Sequence, residues 1–537
     1  MLERLATEPF DVLVIGGGVT GAGVAVDAAT RGLRTALVEG ADFASGTSSK
    51  SSKLVHGGLR YLQQGDVRLV YEALHERQRL RRNAPHLVKL LPFMIPILTR
   101  DGLIPRRVAR ALGSAMWMYD VTGGFRIGKF HKRLKADAAF AHLPTMPRDR
   151  IAGGYLYYDA TTDDARLVLT LARTAAAHGG VVANRTRVVA LTKGPDGQVD
   201  GAVVDGGAGE IRVRARTVVN AAGVWADEVR TMEDGVDPDS IRPAKGVHLT
   251  VPWSKVRNDI AVVIPVRKDR RSLFVVPWGA KPDGTFEHTY IGTTDTDYDG
   301  PLDDPACTAD DIAYVLGALN DAVTTDVTVD DVTGVWAGLR PLVKSATSGR
   351  TADLSRRHRV TVSPAGVVSI AGGKLTTYRE MAEDTVDELL QRLDRKARCR
   401  TKRLRLLGAD GYREADAGTA AAHLGNRYGT LATEVEGLVA ADPSLGEPLI
   451  PGLPYLRAEA IYAVRAEVAT TLDDVLLRRT RAHLFDRPLA LEFAPFVAEL
   501  IAGELGWDAD ATMRQVAAYR ELVATEEADA RPAPAAT

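Results

Sequence analysis

A glycine cluster at residues 16–21 limits, more than any other feature, the folds open to this chain. An apolar run at residues 11–15 precedes the cluster, and an Ala/Val-rich segment with helical spacing follows over residues 21–31. A second apolar run, residues 35–38, ends in Glu39. An apolar run of strand length, a glycine turn and a helix begin a βαβ unit. We therefore predict that the chain opens with a strand, a tight turn and a helix of an α/β sheet.

The residue types in this turn predict a bound dinucleotide. Gly16, Gly18 and Gly21 permit a tight turn and bring backbone amides close to a pyrophosphate at the helix N-terminus. Glu39, about twenty residues further on, is placed to accept hydrogen bonds from ribose hydroxyls. A tight turn without a ligand is the alternative, which the spacing to Glu39 disfavours. The turn does not separate NAD from FAD, because both present the same ADP half to it.

Composition excludes several classes of protein. The 537 residues allow about three or four domains. With 68 Lys+Arg against 69 Asp+Glu, the chain is no uniformly basic nucleic-acid binder. Two cysteines, Cys307 and Cys399, cannot form a disulfide framework and favour a reducing, cytoplasmic compartment. We expect neither a signal peptide nor a spanning helix, because no run reaches the roughly 18 apolar residues that a membrane span needs.

The spacing of apolar residues changes along the chain. Short strand-like runs separated by turn residues occupy the first 400 residues, at 181–183, 211–213, 217–219, 247–251, 262–266 and 273–276. From about residue 400, Ala, Leu, Arg and Glu recur at helical spacing, which predicts a separate helical domain. Residues 526–537 are acidic and then rich in Pro and Ala, which predicts a disordered tail.

Further motifs follow one another in a fixed order, at residues 48–62 (SSKSSKLVHGGLRYL), 163–167, 220–225, 245–248, 291–295, 338–341, 372–379 and 477–480. Together they resemble the FAD-dependent (aerobic, respiratory) glycerol-3-phosphate dehydrogenase family. The likeness covers most of the chain, and a collinear set of this kind is specific. It implies FAD as the cofactor.

The resemblance also implies a fold and its domains. We expect an α/β fold in which a Rossmann-type FAD domain, of the amine-oxidase-like flavin fold, faces a β-sheet substrate domain and is followed by a C-terminal helical domain. The expected ranges are 1–75, 160–235 and 340–395 for the FAD domain, 76–159 and 236–339 for the substrate domain, 400–525 for the helical domain and 526–537 for the tail. We expect no metal ion.

Cofactor-binding residues are predicted from the turn and from the resemblance. The turn supplies Gly16, Gly18, Gly21 and Glu39. The family places a Ser/Thr run along the flavin and a glycine-led helix start beside it, where amides and a lysine stabilise negative charge on the reduced ring. These segments add Thr47, Ser48, Ser49, Ala222, Gly223, Gly372, Gly373, Lys374, Leu375 and Thr376.

The reaction implied is oxidation of sn-glycerol 3-phosphate to dihydroxyacetone phosphate, in which C2 loses a hydride to the flavin and its hydroxyl loses a proton. A phosphate dianion calls for guanidinium forks. Arg340 and Arg60 are the candidates. Without the resemblance, an ordinary surface arginine would be the default for both of them and for Arg379.

The proton calls for a base, and histidine is the usual choice. His56 and His248 both qualify by motif, and the sequence does not separate them. Tyr61 and Lys374 are predicted to contact substrate oxygens. The hydroxyl and carboxylate cluster at residues 293–295 is explained equally well by a turn, so we assign it no catalytic role.

A basic segment, residues 77–135, suggests where the electrons go. It holds fourteen lysines and arginines and two aspartates, a net charge of +12 in a chain whose total is −1. The apolar residues mixed with these cations suit a surface resting on anionic lipid, namely Leu90, Leu91, Phe93, Met94, Ile95, Ile97, Trp117, Met118 and Tyr119. We expect a peripheral enzyme at the cytoplasmic face of the cell membrane that reduces a membrane quinone. A solvated basic face is the alternative.

Other functions stay open at this point. A glycerol-3-phosphate oxidase has the same fold and substrate but passes its electrons to oxygen. An amine or hydroxy-acid oxidase of the same superfamily would use Arg60, Arg340 and Lys374 to bind a carboxylate. A scaffold that merely retains the flavin fold is disfavoured by the intact histidines and cations. For the C-terminal helices we consider packing against the FAD domain or self-association as a homodimer.

Overall fold

A computed structural model describes residues 1–58, 67–99, 116–117, 128–207, 209–267, 269, 271–344, 357–416 and 418–531. Its α-helices are α1 (Leu2–Thr7), α2 (Val19–Thr30), α3 (Val67–Asn83), α4 (Ala136–Ala141), α5 (Asp164–Ala177), α6 (Ala226–Asp234), α7 (Ala309–Asn320), α8 (Tyr378–Arg392), α9 (Ala420–Tyr428), α10 (Ala432–Ala441), α11 (Arg457–Glu467), α12 (Ala482–Phe485), α13 (Arg487–Leu505) and α14 (Ala509–Asp529). Its strands are β1 (Phe10–Ile15), β2 (Thr35–Val38), β3 (Leu54–Val55), β4 (Lys89–Leu98), β5 (Lys132–Leu134), β6 (Ile151–Thr161), β7 (Val181–Ala183), β8 (Arg187–Lys193), β9 (Val199–Asp205), β10 (Glu210–Asn220), β11 (Ile241–Pro252), β12 (Ala261–Pro265), β13 (Ser272–Ala280), β14 (Phe286–Gly292), β15 (Thr296–Asp297), β16 (Gly334–Val343), β17 (Arg359–Val362) and β18 (Val368–Ala371). Within these ranges, every helix is too short or too polar to span a bilayer.

The first sheet brings the glycine turn and the other predicted cofactor segments together. β18, β10, β1, β2 and β7 lie side by side and run parallel, with β17 and the β8–β9 hairpin added antiparallel. Ile15 is in register with Asn220 on one side and with Val38 on the other. Because parallel strands end at the same edge, the residues after β1, β2, β10 and β18 meet there. Helices α2, α5 and α8 cover one face with a continuous apolar core.

The second sheet is mostly antiparallel and carries the predicted substrate residues. Its order is β15-β11-β14-β13-β12-β4-β6-β3, with β16 also paired to β11 and β5 to β6. On β11, His248 lies opposite Trp336 of β16, and Ala244 lies opposite Arg340. Side chains four residues apart on a strand share a face, so Trp336 and Arg340 point to the same side as His248. Helices α4 and α7 pack on the other side.

The C-terminal region, residues 418–531, is helical and has an apolar core of its own. A π-helical turn, Asp474–Arg479, and the short α12 lie between α11 and α13. The arginines of this turn reach the FAD-binding half of the chain: Arg478 Nε donates to Asp42 Oδ2 at 2.6 Å, and Arg479 Nη2 donates to Asp42 Oδ1 at 2.9 Å. Since these side chains are buried, charge pairing fastens the helical region to the first sheet.

The apolar run in the basic segment does not face outward. Phe93, Met94, Ile95 and Ile97 are buried in β4, which lies between β12 and β6. Met94 belongs to the core on one face of the sheet, and the other three belong to the core on the opposite face. The prediction that these four side chains enter lipid was therefore wrong. Of the remaining apolar residues, Leu90 and Leu91 are half-buried, Trp117 is exposed, and Met118 and Tyr119 lie outside the described residues.

Two further details differ from the sequence-based boundaries. Helix α14 continues to Asp529, so the predicted tail begins too early at residue 526. The reason is a charge contact, because His483 Nε2 lies 3.0 Å and Arg487 Nη1 lies 3.2 Å from Glu526 Oε2. In addition, β3 lies in the range predicted for the FAD domain but pairs with β6 of the second sheet.

Candidate active site

A cavity of about 1150 Å³ is lined by the carboxyl edge of the first sheet and by the second sheet. Single small ligands occupy pockets of roughly 300–1,000 Å³, so this cavity has room for a dinucleotide and a small substrate. Fifteen predicted site residues line it, namely Gly16, Gly18, Glu39, Thr47, Ser48, His56, Ala222, Gly223, His248, Arg340, Gly372, Gly373, Lys374, Leu375 and Thr376. Gly21 and Ser49 do not line it, and Arg60 and Tyr61 lie outside the described residues.

The glycine turn packs closely against the residues that follow β10 and contacts Glu39 at the end of β2. Gly16 has φ +109°, and a Cβ there would lie 2.6 Å from the Ala221 carbonyl oxygen. Glu39 accepts hydrogen bonds from the Gly17 amide at 2.6 Å and from the Ala41 amide at 2.8 Å. Burial raises the pKa of Glu39, and the two amides oppose that rise. Because a carboxylate offers about four acceptor positions, Glu39 can still accept from ribose hydroxyls.

The start of α2 presents backbone amides to this space. Gly18 is its N-cap and has no side chain to cap the first turn. Ser48 Oγ, from another segment, accepts the Val19 amide at 2.9 Å. Gly21 serves the packing of the turn instead, since a Cβ there would lie 1.9 Å from the Gly16 carbonyl oxygen. The turn fits a pyrophosphate at a helix N-terminus.

A second glycine-led turn closes the other end of the cavity. Gly372 and Gly373 have φ values of +77° and +75°, and a Cβ on Gly373 would lie 2.3 Å from Met381 Sδ. The chain then enters the 3-10 turn Leu375–Thr377, which leads into α8. Thr376 Oγ1 accepts the backbone amide of His56 at 3.2 Å and so joins this turn to the segment after β3.

His248 is held in one orientation by two contacts. Its ring stacks on Trp336 with a centroid separation of 4.9 Å and an interplanar angle of 8°, and its Nε2 lies 2.9 Å from Ser52 Oγ. The side chain is only 2% exposed, and Nδ1 has no hydrogen-bond partner in the described part of the chain. Burial, together with the charges of Lys53 and Arg340, holds the pKa of His248 well below its usual range. The neutral ring can accept a proton.

His56 lines the same cavity in a more open setting. Its side chain is half-buried, and its ring meets Phe274 edge to face at 6.2 Å. The structure therefore brings both predicted histidines to one cavity. They arrive from different directions, His56 from the end of β3 and His248 from β11.

Two guanidinium groups meet at Asp295. Arg340 Nη1 lies 3.0 Å from Asp295 Oδ1, and its Nη2 donates to Thr293 Oγ1 at 3.2 Å. Arg271 Nη1 donates to the Asp295 carbonyl oxygen at 2.7 Å, and it also lines the cavity. Gly246 makes this arrangement possible, because a Cβ there would lie 2.6 Å from Arg340 Nη2. The cluster at residues 293–295, to which the sequence assigned no role, orients a predicted substrate arginine.

Arg271 and Ser52 are site residues that sequence reasoning missed. Ser52 lies inside the motif at residues 48–62, but its contact with His248 depends on where β11 lies in the folded protein. Arg271 carries no local signal. Arg379, by contrast, points away from the cavity and forms a buried fork with Glu76, at 2.6 and 2.8 Å. Among the described residues, no group of three or more His, Cys, Asp and Glu side chains is arranged to hold a metal ion.

Comparison with known proteins agrees with this geometry. The family model for FAD dependent oxidoreductases matches residues 11–379, and that for the C-terminal domain of alpha-glycerophosphate oxidase matches residues 399–512. Glycerol-3-phosphate dehydrogenase 2 of Mycobacterium tuberculosis is 43% identical over 98% of this chain and 90% of its own length. The chain belongs to the FAD-dependent glycerol-3-phosphate dehydrogenase family.

Other members of the glycerol-3-phosphate dehydrogenase family are also similar to this chain over nearly its whole length. The human mitochondrial protein is 37% identical over 97% of this chain and 74% of its own. The solved structure of the glycerol-3-phosphate dehydrogenase from Bacillus halodurans, complexed with FAD, superposes with a TM-score of 0.77 at 30% identity, covering 100% of this chain and 98% of that one. The predicted α/β flavin fold with its C-terminal helical domain is confirmed, and so is FAD as the cofactor.

Proposed function

We propose that the protein oxidises sn-glycerol 3-phosphate to dihydroxyacetone phosphate and passes the electrons to a membrane quinone. The observation that carries the proposal is a single cavity shared by the FAD-binding turns, two histidines and the paired arginines at Asp295. The named relatives support the choice of substrate. FAD, when bound, supplies the acceptor for the hydride that leaves C2.

Arg340 and Arg271 bind the phosphate group in this proposal. Two guanidiniums offer forked donors that match phosphate oxygens and stay charged at any working pH. Asp295 holds one of them through its carboxylate and the other through its carbonyl oxygen. The anchored phosphate fixes the distance at which C2 and its hydroxyl lie along the cavity.

His248 is the base in this proposal. Its ring is oriented by Trp336 and Ser52, and a base must be positioned before its strength matters. Its lowered pKa keeps the ring neutral at physiological pH, so the ring can take up the C2 hydroxyl proton, but the same shift weakens it as a base, and its role here rests on its position. His56 then acts on the same substrate as a hydrogen-bond partner, together with Lys374.

The visible spectrum of the purified protein under anaerobic conditions tests the substrate. We expect a flavin spectrum that bleaches when sn-glycerol 3-phosphate is added and stays oxidised with glycerol, with an amine or with a 2-hydroxy acid. Inorganic phosphate should slow the bleaching, because it competes for Arg340 and Arg271. A flavin that glycerol 3-phosphate does not reduce would overturn the substrate assignment.

The proposed quinone acceptor and lipid contact are supported by exposed aromatic and basic residues close together in the fold or in sequence, namely Trp117, Lys129, Phe130, Lys132 and Arg133. The Trp117 ring lies 5.3 Å from that of His131, between these cations. Trp117 and Phe130 are 57% and 39% exposed. Aromatic rings beside cations suit the headgroup region of an anionic membrane. Reduced protein should be reoxidised faster by a quinone analogue than by oxygen and should sediment with anionic vesicles. Fast turnover with oxygen that releases hydrogen peroxide would instead identify an oxidase.

A further inference from the structure

One buried arginine of the C-terminal region reaches towards the candidate active site. Arg481 follows the π-helical turn, and its side chain is 2% exposed. Its Nη2 lies 2.9 Å from Asp163 Oδ1 and also pairs with Asp164. Its Nη1 donates to the Ser49 carbonyl oxygen at 3.3 Å. The helical region therefore contacts the segment of the FAD-binding half that begins with the 3-10 turn Thr47–Ser49, at the last residue of that turn.

Asp164 anchors that same segment. Its carboxylate accepts hydrogen bonds from the Ser51 amide at 3.0 Å, from Ser51 Oγ at 2.7 Å and from Lys53 Nζ at 3.0 Å. Asp164 and Lys53 are both buried. Asp163 also has Arg427, whose Nη1 lies 3.9 Å from Asp163 Oδ2, whereas Asp164 pairs with Arg481 and Lys53. Removing Arg481 would therefore leave the buried Asp164 with one cation instead of two.

The segment ends in direct contact with His248. Ser52 Oγ lies 2.9 Å from His248 Nε2. The Ser51 carbonyl oxygen accepts Trp336 Nε1 at 3.1 Å, and Trp336 is the ring on which His248 stacks. Both contacts that orient His248 thus depend on where residues 51–53 lie.

We propose that Arg481 is a positioning residue for His248, acting through Asp164 and residues 51–53. The C-terminal helical region thereby completes the active site, whose reacting groups all lie on the two sheets and their turns. This proposal rests on the proposed function, because it takes His248 as the base. It predicts that damage at Arg481 changes the rate of proton transfer more than substrate binding.

The test compares Arg481→Met with Arg173→Met in the full-length holoenzyme. Arg173 also bridges α5 to the C-terminal region, donating to Tyr462 Oη at 2.8 Å, but its other charge contacts are with Glu434 and Glu467 and not with residues 49–53. We expect Arg481→Met to retain FAD and to lower kcat about tenfold or more, which is part of the roughly 10²–10⁴-fold that a well-positioned general base contributes. KM for glycerol 3-phosphate should stay within about threefold, since Arg340 and Arg271 are held at Asp295 instead.

The pH profile separates positioning from mere stability. Loosening residues 51–53 admits water to His248, which raises its lowered pKa, so the acidic limb of kcat/KM should move to higher pH in Arg481→Met. Arg481→Lys should restore part of the rate. If Arg481→Met does not fold, Ser51→Ala tests the same series of contacts, because it removes the hydrogen bond from Ser51 Oγ to Asp164. We expect a smaller decrease in kcat and a smaller shift of the pH profile in the same direction.

Two outcomes would overturn the proposal. One is a wild-type kcat and pH profile in Arg481→Met with only a lower melting temperature, as expected for Arg173→Met. The other is a loss of FAD that accounts for all lost activity. Failure of the proposed function is distinct, because it would show in the wild-type protein as a flavin that glycerol 3-phosphate does not bleach.

Discussion

At the scale of single residues, the paired arginines at Asp295 predict which kinetic constants change when one of them is replaced. Arg340→Ala removes a charge-assisted fork, and hydrogen bonds to charged groups contribute about 1.5–3 kcal/mol, so kcat/KM should fall about 10- to 100-fold, mainly through KM. FAD content should not change. Arg242→Ala is the matched control, because Arg242 lies on β11 and pairs with Asp297 outside the cavity. Unchanged kinetics in Arg340→Ala would remove that residue from the site.

The two histidines are separated by the rate of flavin reduction. His248→Asn should lower the anaerobic reduction rate by about 10²–10⁴-fold, the usual contribution of a general base, while FAD stays bound. His56→Asn should have a smaller effect, because the ring of His56 is half-buried whereas that of His248 is fully enclosed. Rapid-mixing measurements on both variants check this. A larger loss in His56→Asn would transfer the role of base to His56.

At the scale of elements, the strand–turn–helix unit at β1 and α2 predicts two different glycine phenotypes. Gly18→Val should fold but lack FAD, because its side chain would enter the cavity. Gly21→Val should also lower stability, by about 3 kcal/mol, since its Cβ would overlap the Gly16 carbonyl group. Gly503→Val on α13 is the control, as no atom lies within 4 Å of its Cβ position. Flavin absorbance per protein and the melting temperature distinguish the three; yellow Gly18→Val protein would contradict the pyrophosphate site.

The predicted strands differ from the observed ones where pairing with distant strands sets the length of a strand. Apolar runs at residues 211–213 and 217–219 predict two strands, but both belong to β10, an 11-residue strand. Its first half pairs antiparallel with β9, and its second half pairs parallel with β1. The polar residues between the runs, Arg214 and Arg216, are tolerated because they are exposed and alternate with buried neighbours along the strand. The spacing of apolar residues indicates which positions are buried locally. It does not show that one strand pairs with two different neighbours along its length.

At the scale of the whole molecule, buried histidines make stability depend on pH. Burial lowers the pKa of His86 to about 4, and it lowers those of His248 and His288 in the same direction. Below about pH 6.5 the unfolded chain therefore binds protons that the folded chain does not, so the free energy of unfolding falls as the pH falls.

His86→Gln tests this dependence. For a pKa of about 4 in the folded state and about 6.5 in the unfolded state, the loss between pH 7 and pH 5 is about 2 kcal/mol. We expect the variant to lose about 2 kcal/mol less over that range in denaturant titrations. The exposed His178, changed to Gln, is the control and should behave like the wild type. If the free energy of unfolding fell equally in all three proteins between pH 7 and pH 5, His86 would not be the source of the pH dependence.

The resemblance to the family supplied both histidines, Arg340 and the turn at Gly372, all of which line the cavity. The glycine turn and Glu39 were predicted from the residues themselves, because a strand, a glycine turn, a helix and an acidic residue follow one another at a characteristic spacing. The same holds for the α/β class and for the helical C-terminal region. The prediction that the apolar run of β4 enters lipid was wrong because a strand buried on both faces has the same composition as a lipid-facing segment.

Only the tertiary structure decided which side chains meet across the molecule. Arg271 joins Arg340 because β13 and β16 belong to one sheet; Ser52 meets His248 because the segment before β3 passes beside β11. Arg481 reaches Asp164 although 317 residues separate them. Such pairings depend on strand register and helix packing, which the whole chain sets together, whereas a turn or a cap depends on its neighbours in sequence. The motifs in the sequence, with the family that they resemble, were thus enough to predict the fold class and FAD, and the packing of three regions decided which side chains meet at the cavity.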